Sequence, residues 1–335
     1  MTSFSEDLRR FGPDSPIVPM SLDESLAYCR RLAETHYENF TVASFLLSKR
    51  LRSSFHVVYA YCRWADDLGD EIGGSDEERK ESLRLLDWWE GELDRCFEDD
   101  KPQSHPVYVA LRKIVREFGL LKQPFVDLLF AFRQDQTRRR YETLEELLDY
   151  CRFSADPVGR IVLQLAYSAS GGGGPSEQEL RWSDSICTGL QLANHWQDIA
   201  RDARIGRCYI PQEVASRFGV DCEHLSETDE FRRMMRFLVD DARSRLCLGE
   251  PLIASVPQLV RPEIALFQRG GLAILAAIEK AGSNVLRQRP VVSRWTKLRL
   301  LLGAGNLKVV RLLESLVKGT AQEPGGKPAD GRRSK

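Results

Sequence analysis

Several common frameworks are missing from this sequence. Its eight cysteines (29, 62, 96, 151, 187, 208, 222 and 247) include no C-x-x-C pair, which argues against both a zinc site and a disulfide framework. They read as small apolar residues in a reducing compartment. The five histidines have no H-x-x-x-H spacing, so a helix-borne zinc site is not expected either. No run of 18 apolar residues occurs, and the N-terminus is acidic and proline-containing rather than basic and then apolar. The chain therefore reads as neither exported nor membrane-spanning, and as cytoplasmic. Charge of one sign is missing too: 48 Lys and Arg against 49 Asp and Glu give a net charge of −1. Nothing in that balance calls for nucleic acid, and a small molecule is the expected partner. No alternating run of strand length appears, and no G-x-G-x-x-G follows a strand, so a conventional dinucleotide fold is absent. The four glycines at 171–174 follow a helical pattern and precede no Lys-Ser/Thr, which makes them a helix-to-helix loop rather than a phosphate cradle.

What the sequence does have is helix punctuation. Ser21-x-x-Glu24, Ser75-x-x-Glu78, Thr143-x-x-Glu146 and Ser176-x-x-Glu179 all match the capping box. Helical periodicity after them predicts helices near 22–38, 52–72, 76–98, 106–118, 124–140, 144–168, 176–204, 229–249, 257–281 and 294–317. Breaks fall at Gly73-Gly74, Lys101-Pro102, Gly171 to Gly174 and around Pro251. None is long enough for an interdomain linker, so the fold class is all-α, with one domain at 21–318. Residues 1–20 read as an N-terminal extension. The polar, Gly- and Pro-containing stretch 319–335 reads as a disordered tail.

The chemistry concentrates in two of these helices. In QLANHWQDIARDARIGRCYIP (191–211), Asn194, Asp198 and Asp202 recur every four residues, and each step drifts by only about 40°, so one helix face carries all three. In VVYAYCRWADDLGDE (57–71), Asp66 and Asp70 have the same spacing, with Asp67 beside them and Arg63 one turn earlier. Carboxylates so spaced often form a solvated face. Here, however, the rest of both helices is heavily apolar, and buried unpaired carboxylates are too costly to keep without cations. All-oxygen donor sets suit hard ions, Mg²⁺ above all, which is held by a few carboxylates plus substrate phosphate oxygens. Two such helices facing each other would hold a diphosphate through bridging metals. His195 points about 100° off the acidic face, toward a packing role.

Asp66-x-x-x-Asp70 with Asn194-x-x-x-Asp198-x-x-x-Asp202 resembles the paired aspartate-rich motifs of the squalene and phytoene synthase family. The resemblance runs from about Ser21 to Leu312. Within it, NFTVASFLL (39–47), YAYCRWADD (59–67), FRQDQTRRRY (132–141) and YCRFSADPVGR (150–160) are similar to the branch that makes hydroxysqualene in bacterial hopanoid pathways. The branch reading rests on SADPVGR (154–160), where condensing members typically carry an Ala-Gly-Thr-Val-Gly type sequence. The resemblance implies an all-α isoprenoid synthase fold around a central apolar cavity, with Mg²⁺ as cofactor. It also implies metal ligands at Asp66, Asp70, Asn194 and Asp198, with Asp202 and Asp67 as further members of the set. Arg63 is implied as a catalytic and substrate-binding residue, and His36, Tyr59, Gln191 and Arg289 as contacts for the substrate diphosphate. Ordinary packing or surface ion pairing is the alternative for each of these contacts.

The departures narrow the substrate. Tyr37-Glu38-Asn39 replaces small and basic residues, Gln197 replaces a common basic one, and no tyrosine lies between Pro262 and Gly282. Fewer groups for a second diphosphate fit presqualene diphosphate, ionised, ring-opened and captured by water as hydroxysqualene without a reductant. The alternatives are a condensing prenyltransferase that makes presqualene diphosphate, squalene or phytoene, and a non-catalytic family member used in assembly. From 287 to 318 eight basic residues stand against Glu314 alone, among leucines and valines. That is the pattern of an amphipathic segment for peripheral contact with an anionic membrane or for closing the bundle core. Squalene-pathway enzymes upstream and downstream are the other partners to be expected.

Overall fold

Local capping sets the helix starts. In the computed structural model, Ser75 and Ser176 form complete capping boxes with Glu78 and Glu179. The Thr143 hydroxyl accepts from the Glu146 backbone at 3.2 Å, while the Glu146 carboxylate turns back to the Glu142 N–H. The structure describes residues 4–16, 19–36, 47–98, 103–282 and 285–292, without the side chains of His36, Lys49 and Arg50. All regular structure among them is helical: α1 Phe4–Phe11, α2 Leu22–His36, α3 Lys49–Asp70, α4 Asp76–Phe97, α5 Pro106–Phe118, α6 Gln123–Thr137, α7 Leu144–Ser154, α8 Asp156–Ala169, α9 Glu177–Arg204, α10 Gln212–Phe218, α11 Asp229–Leu248, α12 Leu252–Ser255 and α13 Arg261–Lys280. None of these is long and apolar enough to cross a membrane. The helix expected at 294–317 and most of the basic segment 287–318 lie outside the described residues.

The expected helix 144–168 is two helices. Pro157 lacks an N–H and its ring collides with a preceding carbonyl, so the helix stops at Ser154 and restarts at Asp156 after Ala155 (φ −124°, ψ −51°). Three short helices also escape the periodicity, α1, α10 and α12, each too brief to display a helical repeat. Helix α1 lies in the stretch that reads as an extension, and it packs on the core through Phe4 on Trp64 (5.3 Å between centroids) and Phe11 on Tyr28.

The acidic helices are fixed from below by two kinds of packing. Trp64 of α3 stacks on Trp89 of α4 at 5.4 Å, and the Tyr61 hydroxyl donates to the Phe125 carbonyl of α6 at 2.9 Å. Tyr61 is thereby fixed in the core. Helix α9 sits centrally against α8, α11 and α13, at distances that only glycine allows. A Cβ on Gly249, the C-cap of α11, would stand 2.6 Å from the Trp182 carbonyl oxygen and 2.4 Å from Ile186 Cγ1. Gly249→Ala is therefore expected to destabilise the fold by about 1–3 kcal/mol, the usual cost of overpacking. Denaturant unfolding checks it, and an unchanged midpoint would mean that the α9–α11 contact is loose.

Candidate active site

Three helices deliver acid to one end of the bundle. Helix α3 closes on Asp66 and Asp70, α6 on Asp135, and α9 on Asp198 and Asp202. These are C-terminal ends, where the helix dipole is negative and acids are disfavoured. Neither α3 nor α6 has a basic residue in its last turn to offset this. Mutual repulsion adds to the dipole, so this mouth is built to attract cations.

Arginines answer that demand. Arg207, just beyond α9, donates to Asp70 Oδ1 at 2.8 Å and so joins the two acidic helices. Arg289 forms a two-pronged pair with Asp198, one prong at 2.9 Å. Arg63 donates to Asp66 at 3.3 Å and to Asp67 at 3.0 Å. The compensation is incomplete. Burial and then the neighbouring Asp70 push the Asp66 carboxyl up to about 6. Burial and then Asp198 push Asp202 up to about 7. Asp135 rises to about 7 through burial, with Arg207 and the Tyr150 hydroxyl opposing, and Asp67 rises to about 7 through burial against the pull of Arg63.

The sequence-predicted residues fall as follows. Asp66, Asp70, Asp198, Asp202, Arg63 and Arg289 are joined in this one network. Asn194 is exposed one turn before Asp198. Asp67 is only 5% exposed and turned into the Arg63 guanidinium. Tyr59 is half-buried one turn before Arg63, and Gln191 is half-buried with Nε2 3.3 Å from His195 Nε2. The side chain of His36 lies outside the described residues. His195 itself is buried, stacked on Tyr209 at 3.8 Å between centroids, and burial holds its pKa down at about 3. That matches the packing role expected of it.

Helical spacing alone does not point to Asp135, Arg207 or Tyr150. Tyr150 donates to Asp135 Oδ2 at 3.0 Å, and Asp135 Oδ1 is buried with no hydrogen-bond partner. The signal for Asp135 is its position: a carboxylate in the last turn of an apolar helix is opposed by the dipole and needs a reason to be there. Arg207 stands in the loop after α9, where no periodicity points to a partner 137 residues away.

The site fits a hard divalent cation shared with a ligand. Its donors are oxygens, one of them orphaned, and burial and then a neighbouring carboxylate raise the pKa values of Asp66 and Asp202. Among the described residues no three His, Cys, Asp or Glu side chains close a metal cage by themselves. Mg²⁺ sites of the open kind, completed by phosphate oxygens and water, need no such cage.

A family model described as squalene/phytoene synthase matches residues 33–296. The chain is 35% identical over 231 residues to a hydroxysqualene synthase of Rhodopseudomonas palustris, covering 68% of this chain and 74% of that one. It is 28% identical to a phytoene synthase of Arthrospira platensis, covering 85% and 93%. The crystal structure of squalene synthase HpnC from Alicyclobacillus acidocaldarius superposes with a TM-score of 0.71 at 40% identity, covering 80% of this chain and 97% of that one.

Proposed function

Because the chain belongs to the squalene/phytoene synthase family, whose members are enzymes that process prenyl diphosphates, we propose that it is a Mg²⁺-dependent hydroxysqualene synthase acting on presqualene diphosphate. The observation that carries this reading is the 35% identity to a protein of that name over two thirds of the chain. The carboxylate mouth of α3, α6 and α9 supports the general chemistry. Asp66, Asp70, Asn194, Asp198 and Asp202 would hold the metal, and Asp135, with its unpartnered oxygen, joins them. Asp67, buried against Arg63, positions that arginine instead. Bound Mg²⁺ would supply Lewis-acid neutralisation of the leaving diphosphate.

The rest of the reaction falls to the chain's own groups. Arg63, Arg207 and Arg289 hold the carboxylates in the structure as it stands. With the acids occupied in holding Mg²⁺, these guanidiniums would be available to the diphosphate oxygens, to stabilise charge as the C–O bond breaks. Tyr59, Gln191 and, from the motif match alone, His36 would contact the diphosphate. Loss of diphosphate leaves a cyclopropylcarbinyl cation. Its ring opens, water adds, and one proton leaves with the released products. No electron enters, so no reductant is required.

A condensing prenyltransferase is the second reading, favoured by the phytoene synthase relative that covers 85% of the chain. Presqualene diphosphate and farnesyl diphosphate are therefore to be offered separately with Mg²⁺, with and without NADPH. The proposal expects an alcohol and one diphosphate from the first substrate, unaffected by NADPH and abolished by chelation. Turnover of farnesyl diphosphate alone, or a product that depends on NADPH, would favour the condensing reading. A non-catalytic role would leave both substrates untouched.

A further inference from the structure

Behind the acidic end of α9 lies a 170 Å³ cavity whose lining includes Asp202, Arg207, Cys208, Tyr209 and Cys222. Cys208 and Cys222 share that lining and lie close enough for each thiol to influence the other, and the Cys208 thiol donates to the Ile210 carbonyl at 3.8 Å. We infer that Cys208 and Cys222 form a reversible dithiol–disulfide site, a modification site for low-molecular-weight disulfides such as oxidised glutathione.

The two cysteines come together by topology. Cys208 follows α9, and its N–H donates to the Arg139 carbonyl at 2.8 Å, while Gln212 N–H and Glu213 N–H bond to the Tyr141 and Glu142 carbonyls at 2.9 and 3.0 Å. This ladder holds the segment that carries Cys208. Cys222 lies in the connection between α10 and α11, after the left-handed turn at Gly219 (φ 71°). Both sulfurs thus sit outside helices, and closing to a bond of about 2.05 Å need not break one.

Either thiol can begin the reaction, and the Arg140 guanidinium in the same lining favours the thiolate of both. The attacking sulfur displaces one thiol from the small disulfide and forms a mixed disulfide. The other cysteine then attacks that protein sulfur and expels the second thiol. Two protein thiols lose two electrons and two protons, and the small disulfide gains both. The new bond ties the segment of Arg207, which bridges to Asp70, to the loop after α10. The site is independent of which reaction the enzyme catalyses.

Trypsin separates the pair, cutting after Arg207, Arg217 and Arg232. The test treats full-length folded protein with oxidised glutathione, alkylates the remaining thiols and maps the peptides. Expected is peptide 208–217 joined to 218–232, lighter by two hydrogens and separated again by dithiothreitol. Cys247, which is exposed, should carry glutathione and serves as the control for exposure. Cys222→Ser, whose fold is checked by its thermal midpoint, should stop with glutathione on Cys208. Glutathione retained on Cys208 or Cys222 in the wild type would overturn the inference. So would alkylated, unlinked Cys208 and Cys222 in samples where Cys247 is fully modified.

Discussion

Asp66→Asn is expected to lower turnover by about 10³-fold or more, the scale of losing a central electrostatic contact to the leaving group, while the thermal midpoint at pH 7.5 stays unchanged or rises. The two halves share one cause. In the proposed site Asp66 stands among acids to hold the metal, and by itself its buried charge beside Asp70 is a burden on the fold. Its folded pKa of about 6 lies above the unfolded value of about 3.9. The folded state therefore binds the extra proton between those values. Stability from this group is fully present below about pH 4 and lost as pH rises through 6. The asparagine variant removes that loss, so its gain in midpoint should be largest above pH 6 and vanish near pH 4. Asp198→Asn should match it in turnover. A variant that kept full activity, or lost activity only by unfolding, would remove Asp66 from the site.

Arg63→Met should have the opposite effect on stability. It too should lose about 10²- to 10³-fold in turnover, as a missing cation at a developing anion does. Here, though, the partner left behind, Asp67, is 5% exposed, and breaking a buried ion pair from one side costs about 3–5 kcal/mol. Arg63 is the main group opposing burial at Asp67, whose pKa is already raised to about 7. Without it the carboxyl titrates higher still, so the folded state favours the protonated form. The stability deficit is then small at pH 5.5 and grows as pH rises through 7 and beyond. Thermal unfolding at the two pH values checks the slope. Asp67→Asn added to Arg63→Met should restore the midpoint but not turnover, since Asp67 positions the arginine and does not touch substrate. Equal deficits at both pH values would mean that Asp67 is not the unpaired charge.

Periodicity is what makes the acidic helices legible in the sequence. Four-residue spacing survives folding because a helix converts it directly into a face, so Asp66, Asp70, Asn194, Asp198 and Asp202 declare themselves together. Capping boxes are legible for the same reason, being local. Tertiary contacts are not. Arg207 reaches Asp70 from a loop, and Asp135 and Tyr150 meet from different helices. The break at Ala155 is readable in principle from Pro157, but apolar periodicity on both sides masks it. The expectation that the cysteines act as small apolar residues holds for Cys29, Cys96 and Cys151, which are buried. Cys208 and Cys222 are half-buried, and what brings them to one cavity is the path of two loops, which periodicity does not describe.

Capture of the cation by water separates the proposed reaction from every condensing alternative. The direct measurement is incubation of the full-length enzyme with presqualene diphosphate and Mg²⁺ in ¹⁸O-labelled water, without reductant, followed by mass analysis of the thirty-carbon product. An alcohol carrying one ¹⁸O atom is expected. An unlabelled hydrocarbon, or no product until NADPH is added, would contradict the proposed reaction.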